Sequence, residues 1–247
     1  MIVSLKSAFV YLLLIKNFTI APLPTIFPVC FRDDPHISDC LIQSVKMFQL
    51  RMTTGDLGDG FKVPRLDPLY IPKLKLGIEN VLHTTMEDMN LRGFSKCSIE
   101  KLHVNMRDLK FDMIITIPQM DIVSNYKMEI RLLPCPLDSE GVRHEVMENV
   151  KIRIIMKGRL YQKNGQNYLK FDPIYFKILE SSVKLLELTN FLPGFIIAPI
   201  FKAYFQLNAD FLFKTLYPDF EKNLSKIFTG AANQIVSNAP FDEIFPY

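Results

Sequence analysis

The chain has no tryptophan and, among its 247 residues, only ten glycines and four cysteines. It contains no glycine-rich phosphate-cradling loop, no Gly-x-Ser-x-Gly elbow and no Cys-x-x-Cys pair, so the common signatures of nucleotide enzymes, serine hydrolases and thiolate metal sites are missing. No apolar run approaches the roughly 20 residues a bilayer-spanning helix needs, which speaks against stable membrane insertion. Strong charge of one sign is missing too. The formal net charge is +3, and Lys6 and Lys16 fall in a segment expected to be removed, leaving about +1; nucleic acid is not an expected partner. No Gly/Ser-rich or charge-run linker divides the chain, which points to one domain with a large apolar interior.

The four histidines, His36, His83, His103 and His144, are scattered. The only metal-like spacing is His144-Glu145 with Glu148, and it reads as a solvated charged stretch at a turn-to-strand junction. His103 falls on the polar side of its strand. No catalytic residue, metal or cofactor is expected, and the chain reads as a binding protein rather than an enzyme. A sequon at Asn223-Leu224-Ser225 lies inside a helical pattern, where a glycan has poor access.

What is present begins with MIVSLKSAFVYLLLIKNFTIAPLP. Lys6 precedes an apolar core from Ala8 to Ile15, short for a membrane span and suited to a secretory signal peptide over residues 1–21. Pro22 after Thr19-Ile20-Ala21 leaves the cleavage point open, and an uncleaved N-terminal helix is the alternative. Residues 22–247 would form the mature, secreted domain. Cys30 and Cys40 bracket FRDDPHISD, a loop of the kind a disulfide closes in an oxidising compartment. Cys97 and Cys135 sit in apolar contexts, as buried thiols or as a second bridge.

A short helix is expected from Asp39, which can cap it, to about Met52, followed by the turn cluster TTGDLGDG. Pro64, Pro68 and Pro72 then force an extended path. From Lys73 the period becomes two: Leu74, Leu76 and Ile78; Leu102, Val104 and Met106; Phe111, Met113, Ile115 and Ile117; Tyr126, Met128, Ile130 and Leu132; Val150, Ile152, Ile154 and Met156. Turn signals at Arg92-Gly93, Ser124-Asn125, Asp138 to Gly141 and Asn164-Gly165 predict a meandering antiparallel sheet. Near the C-terminus the period returns to 3.6. Phe213, Leu216, Phe220, Leu224, Ile227, Ala231 and Ile235 draw one stripe, widened by Phe211, Leu212, Tyr217, Phe228 and Val236. Pro218 predicts a kink or a lead-in segment, and Pro240 the end. The fold class is therefore α+β: a highly curved antiparallel sheet wrapping one long C-terminal helix, with an apolar tunnel wherever side chains leave space between them.

Four stretches carry a resemblance to a known family: the paired cysteines of CFRDDPHISDCL after the leader, the run Leu66-Asp67-Pro68-Leu69-Tyr70-Ile71-Pro72, the block NVKIRIIMKGRLYQKNGQNYLKF, and PFDEIFP after the long helix. In order and spacing the chain resembles the insect takeout and juvenile-hormone-binding proteins, a branch of the tubular lipid-binding folds. The resemblance implies a Cys30–Cys40 disulfide, a hydrophobic tunnel and a secreted carrier of apolar hormones, fatty acids or related lipids. The chain departs from the family at Leu133-Pro134-Cys135-Pro136-Leu137, at Cys97, and in FLPGFIIAPIFKAYFQ, which reads as a buried hairpin or, alternatively, an exposed docking surface.

The candidate ligand-binding residues are Met106, Met113, Ile115, Tyr126, Met128, Ile130, Ile152, Ile154 and Phe171 from the strands, and Leu216, Phe220 and Leu224 from the helix. Methionines spread over several strands suit a pliable wall, and Tyr126 offers a hydroxyl to a ligand carbonyl. A ligand burying about 400 Å² of apolar surface gains up to about 10 kcal/mol before ordering costs. The expected function is a monomeric carrier of one small hydrophobic ligand, entering near the N-terminal helix. The alternative from another class is a secreted interaction protein whose tunnel is filled and which acts through a surface such as 191–206.

Overall fold

The computed structural model describes residues 26–78, 80–131, 137–190, 199, 203–204 and 206–247. The expected leader, Cys135 with its flanking prolines, and most of segment 191–206 lie outside the described residues. Helix α1 (Ile37–Gln49) opens the fold, followed by the small hairpin β1 (Asp56–Gly58) and β2 (Phe61–Lys62). Strands β3 (Leu69–Ile78), β4 (Leu82–Arg92), β5 (Ser98–Asn105), β6 (Lys110–Ile130), β7 (Leu137–Lys163), β8 (Gln166–Phe171) and β9 (Tyr175–Leu188) form one antiparallel sheet. Helices α2 (Ala209–Val236) and α3 (Phe241–Ile244) end the chain. Asp39 does not cap α1: the cap position is His36, whose N–H bonds the Asp34 carboxylate, and Asp39 sits in the first turn, where the helix dipole favours a negative charge.

The spine of the sheet is a ribbon of two long strands, β6 with 21 residues and β7 with 27, paired from Lys110↔Lys157 to Ile130↔Leu137. Two shorter strands share each flank. On β6, β4 pairs with Asp121–Ile130 and β5 with Lys110–Thr116; on β7, β9 pairs with Arg143–Ile155 and β8 with Gly158–Lys163.

Two of the expected turns are therefore strand interior. Ser124-Asn125 lies within β6, flanked by β4 and β7, and Asp138 to Gly141 lies within β7. Gly141 is there for close approach: a Cβ would stand 2.3 Å from the Thr189 carbonyl oxygen. Asn164-Gly165 is a turn as expected, both residues at positive φ (53° and 78°), joining β7 to β8 as a two-residue hairpin.

The real interruptions of β6 and β7 lie elsewhere. Phe111, Ile115 and Ile117 face inward on odd numbers, then Met120, Ile122, Tyr126, Met128 and Ile130 on even ones. The phase changes at Pro118, opposite Asn149, which has φ 52° and marks the same reversal in β7. Pro118 donates no hydrogen bond, so the ladder breaks there without ending the strand. Asp88, with φ 53°, does the same in β4.

Helix α2 packs against β9, β8 and β3, so it spans the two edges of the curled sheet and closes the half-barrel. It runs unbroken through Pro218; Pro218 and Lys214 are both exposed, and water can take the carbonyl that the ring leaves free. The inward stripe is as expected for Phe213, Leu216, Tyr217, Phe220, Leu224, Ala231 and Val236, whereas Phe211 is exposed. The sequence pattern did not expose a second, polar row at four-residue spacing. Glu221 accepts the Ile178 N–H (2.8 Å), Thr229 accepts the Ile174 N–H (2.9 Å), and Asn233 both accepts from the Phe171 N–H (2.7 Å) and donates to its carbonyl (3.0 Å). One turn earlier the Tyr217 hydroxyl bonds Ser181. These side chains complete the backbone pairing of the β8–β9 edge.

Cys30 and Cys40 are bonded, with Cα atoms 5.7 Å apart, and by loop entropy such a bridge contributes about 2–3 kcal/mol. Cys97 carries a free thiol, contacted by the Gln49 side-chain amide at 3.0 Å. The two ends of the chain meet through Arg32, which donates to the Phe245 carbonyl (2.7 Å), pairs with Asp242 and stacks on the Phe241 and Tyr247 rings. In Leu66-Asp67-Pro68-Leu69-Tyr70-Ile71-Pro72 the buried Asp67 carboxylate holds the Gly93 and Ser95 N–H groups at 3.1 and 2.8 Å, a structural role.

Asn233→Ala removes both bonds to Phe171 and is expected to lower stability by about 1–3 kcal/mol in urea unfolding followed by far-UV circular dichroism. A change below about 0.5 kcal/mol would mean that water replaces the amide at this edge.

Candidate functional site

The apolar interior between sheet and α2 is divided along its length. The main cluster takes Leu74, Leu76, Met86, Met89, Ile115, Ile152, Ile154, Leu216, Phe220 and Leu224, with Met113 half-buried against it. At the end near α1, Phe111, Leu169, Phe171, Phe241 and Phe245 pack around the disulfide, with Met106 against them in the turn after β5. At the opposite end Tyr126, Met128 and Ile130 pack with Leu82 and Leu188. The twelve candidate residues thus face one interior but fall into three groups.

Within the main cluster, side chains enclose a cavity of about 20 Å³, room for about one water. Leu76, Met86, Met89 and Met147 form its sheet side, Phe213, Leu216, Tyr217 and Phe220 its helix side, and Ile122 and Glu145 complete it. Of these ten, only Leu216 and Phe220 were candidates from the sequence. The phase reversals at Asp88 and Asn149 hid Met86, Met89 and Met147, because alternation on either side of each bulge points to opposite faces. A wider, open hollow of about 540 Å³ lies toward the outer face of the sheet; with His83, Lys127, Glu129, Asp138 and Glu140 in its lining, it suits no apolar ligand.

Tyr126 is buried, and its hydroxyl is already engaged by Ser139 (2.9 Å) and the Thr189 carbonyl (2.8 Å). The polar chemistry of the interior lies instead on β7. Arg143, Glu145 and Met147 face inward together, and Arg143 and Glu145 form an ion pair with side chains 7% and 1% exposed. The Arg143 guanidinium also sits 4.2 Å from the Phe213 ring centroid. Burial pushes the Glu145 carboxyl from its ordinary 4.5 up to about 7, against the pull of Arg143. Burial likewise raises the Tyr217 hydroxyl.

The stretch His144-Glu145 with Glu148 is therefore neither solvated throughout nor at a strand junction. It is mid-strand, with Glu145 inside and its neighbours outside: His144 lies 3.4 Å from Asp121, and Glu148 pairs with Lys184 at 2.8 Å. Among the described residues no group of three or more His, Cys, Asp or Glu side chains is placed to hold a metal. None of the described helices is long and apolar enough to cross a membrane.

A curled antiparallel half-barrel closed by one long helix over an apolar interior defines a class of hydrophobic-ligand folds. The sequence profile of the haemolymph juvenile hormone binding protein family matches residues 8–246, and the chain belongs to that family. Among solved structures it is similar to Takeout 1 of Epiphyas postvittana, at 16% identity and a TM-score of 0.67, covering 89% of this chain and 99% of that one. A lipopolysaccharide binding protein also matches, at 11% identity and a TM-score of 0.32, over 80% of this chain and 36% of that one. No curated protein matches the chain by sequence.

Between about pH 4.5 and 7 the native state holds a Glu145 proton that the unfolded chain has released, so this group makes stability fall as pH rises through that window. The unfolding free energy of the native sequence minus that of Glu145→Gln is expected to drop by up to about 3 kcal/mol across it and to level off above. Urea titrations at stepped pH check the sign; a flat difference would place the Glu145 carboxyl at an ordinary value.

Proposed function

We propose that this protein is a secreted, monomeric carrier that holds one small hydrophobic molecule between sheet and helix, without catalysis. Residues 1–21 would be removed on export, leaving 22–247 as a single ligand-binding domain. The observation that carries the reading is the character of the cavity wall: three methionines from two strands, Met86 and Met89 of β4 and Met147 of β7, face two phenylalanines and a leucine of α2. Methionine side chains change rotamer at little cost, so a wall built from them can yield to a flexible chain where a wall of branched residues would resist. The cavity at rest holds about one water, so binding requires this wall to move.

The candidate residues of the main cluster, Met113, Ile115, Ile152, Ile154, Leu216, Phe220 and Leu224, would continue the ligand path along the axis. Met106 and Phe171 would meet it near α1, and Tyr126, Met128 and Ile130 at the far end. A terpenoid, fatty acid or related lipid fits this description by length and bulk. The Cys30–Cys40 disulfide and the family are consistent with an extracellular setting.

The test is binding of the neutral dye N-phenylnaphthylamine, together with mass spectrometry of the organic extract of protein secreted by its source cells. Dye fluorescence is expected to rise on binding and to fall when an isoprenoid or acyl compound is added. Leu216→Trp, which fills the cavity, is expected to weaken dye binding by about tenfold or more while costing about 1–3 kcal/mol of stability. A clean extract with no dye binding would point to a filled interior and to a protein that works through its surface.

A further inference from the structure

We propose that Arg143 and Glu145 form a head-group subsite inside the apolar interior, which selects ligands whose hydrocarbon chain ends in a carboxylate. The inference rests on the carrier reading and specifies what kind of ligand it carries. A guanidinium stays charged at any physiological pH, and in a buried position it needs an anionic partner. In this structure Glu145 is that partner, and Glu145 also lines the cavity beside Leu216, Tyr217 and Phe220. A ligand entering the cavity with its head toward β7 therefore meets Glu145, and through it the paired Arg143, at a wall that is otherwise almost wholly apolar.

A buried pair is costly to desolvate and seldom repays that cost in stability, so a pair with Glu145 on the cavity wall and Arg143 against Glu145 and Phe213 is better explained by a ligand than by folding. A ligand carboxylate can take the place of Glu145 on Arg143, two oxygens against the planar fork of donors, provided Glu145 gives up its charge. It does so by taking one proton from solvent, and the displaced carboxyl, now neutral, can donate a hydrogen bond to the ligand head. The net charge of the interior is then unchanged: one anion enters and one is neutralised. An ester or alcohol gains no such exchange. The other titratable or charged groups in reach are His144 on the same strand, Tyr217 from α2, and Tyr126 of β6 beside Arg143. The cavity wall from β3 and β4 contributes Leu76, Met86 and Met89, which are apolar, so no second base competes for the proton there.

The experiment compares hexadecanoic acid with its methyl ester as displacers of N-phenylnaphthylamine, at pH values from about 6 to 8. In the native sequence the acid is expected to displace the dye at a concentration about tenfold or more below that of the ester. Calorimetry in buffers of different ionisation enthalpy is expected to show uptake of about one proton per acid at about pH 8, and none for the ester. Arg143→Met should remove the preference for the acid, read as the ratio of the acid and ester concentrations that displace the dye from that variant. If that variant fails to fold, the double variant Arg143→Met, Glu145→Met removes both charges and gives the same comparison. Glu145→Gln should keep the preference and abolish the proton uptake. Equal displacement by acid and ester in the native sequence overturns the subsite while leaving the carrier reading intact. Failure of the dye, the acid and the ester all to bind removes both.

Discussion

The fold depends on how one sheet edge is completed. A strongly curled antiparallel sheet that does not close on itself leaves backbone N–H groups unpaired along its last strands, and here they would face the apolar interior rather than water. Glu221, Thr229 and Asn233 of α2 meet them with side-chain acceptors, about two helical turns and then one turn apart along one face. The same helix presents Phe213, Leu216, Phe220 and Leu224 to the core. One helix therefore supplies both the missing edge partner and the missing half of the hydrophobic contact. Its orientation about its own axis is fixed by the polar row, since a rotation that keeps the apolar stripe roughly inward would still unpair β8 and β9.

Against that frame the interior is uniform in chemistry except at one place. Most of its wall is aliphatic, aromatic or thioether, which discriminates by volume and shape. The Arg143–Glu145 pair is different in kind, because it discriminates by charge and does so deep inside, next to Phe213 and Tyr217 on the helix. Ligand length would be read along the axis and ligand head chemistry at β7, two criteria applied at separate points of one interior. The outward-facing charges on the same strand, His144 and Glu148, are occupied by Asp121 and Lys184 and take no part.

How much of this was legible in the sequence follows from where the period holds. The α+β class, the long helix, the Asn164-Gly165 hairpin and the inward stripe of α2 were readable, because each rests on an unbroken period or a strong local turn preference. The even-numbered run Tyr126, Met128 and Ile130 was also placed correctly on a buried face. Met86, Met89 and Met147 were not, since Asp88 and Asn149 reverse the alternation beside them without ending the strand. Ser124-Asn125 looked like a turn because polar, turn-forming residues were the only cue, and long-range pairing on both flanks overrode it. Glu145 was misplaced for a related reason: a glutamate beside a histidine reads as solvent-exposed unless the strand's phase is known. The polar row of α2 was hidden among residues that on a helix surface would be ordinary.

The order of elements along the chain bears on how the molecule is made. Strand partners follow closely in sequence, so the β6–β7 ribbon and its flanks can pair as they leave the ribosome. The helix that covers them is encoded last, and it must reach back from Leu216 to Leu76 across most of the domain. Until residues beyond Ala209 are synthesised, a large curved sheet has its whole apolar face and one open edge without cover. An apolar face and an unpaired strand edge are the surfaces through which incomplete chains aggregate, and in this chain order both are covered only by the last long element to be made.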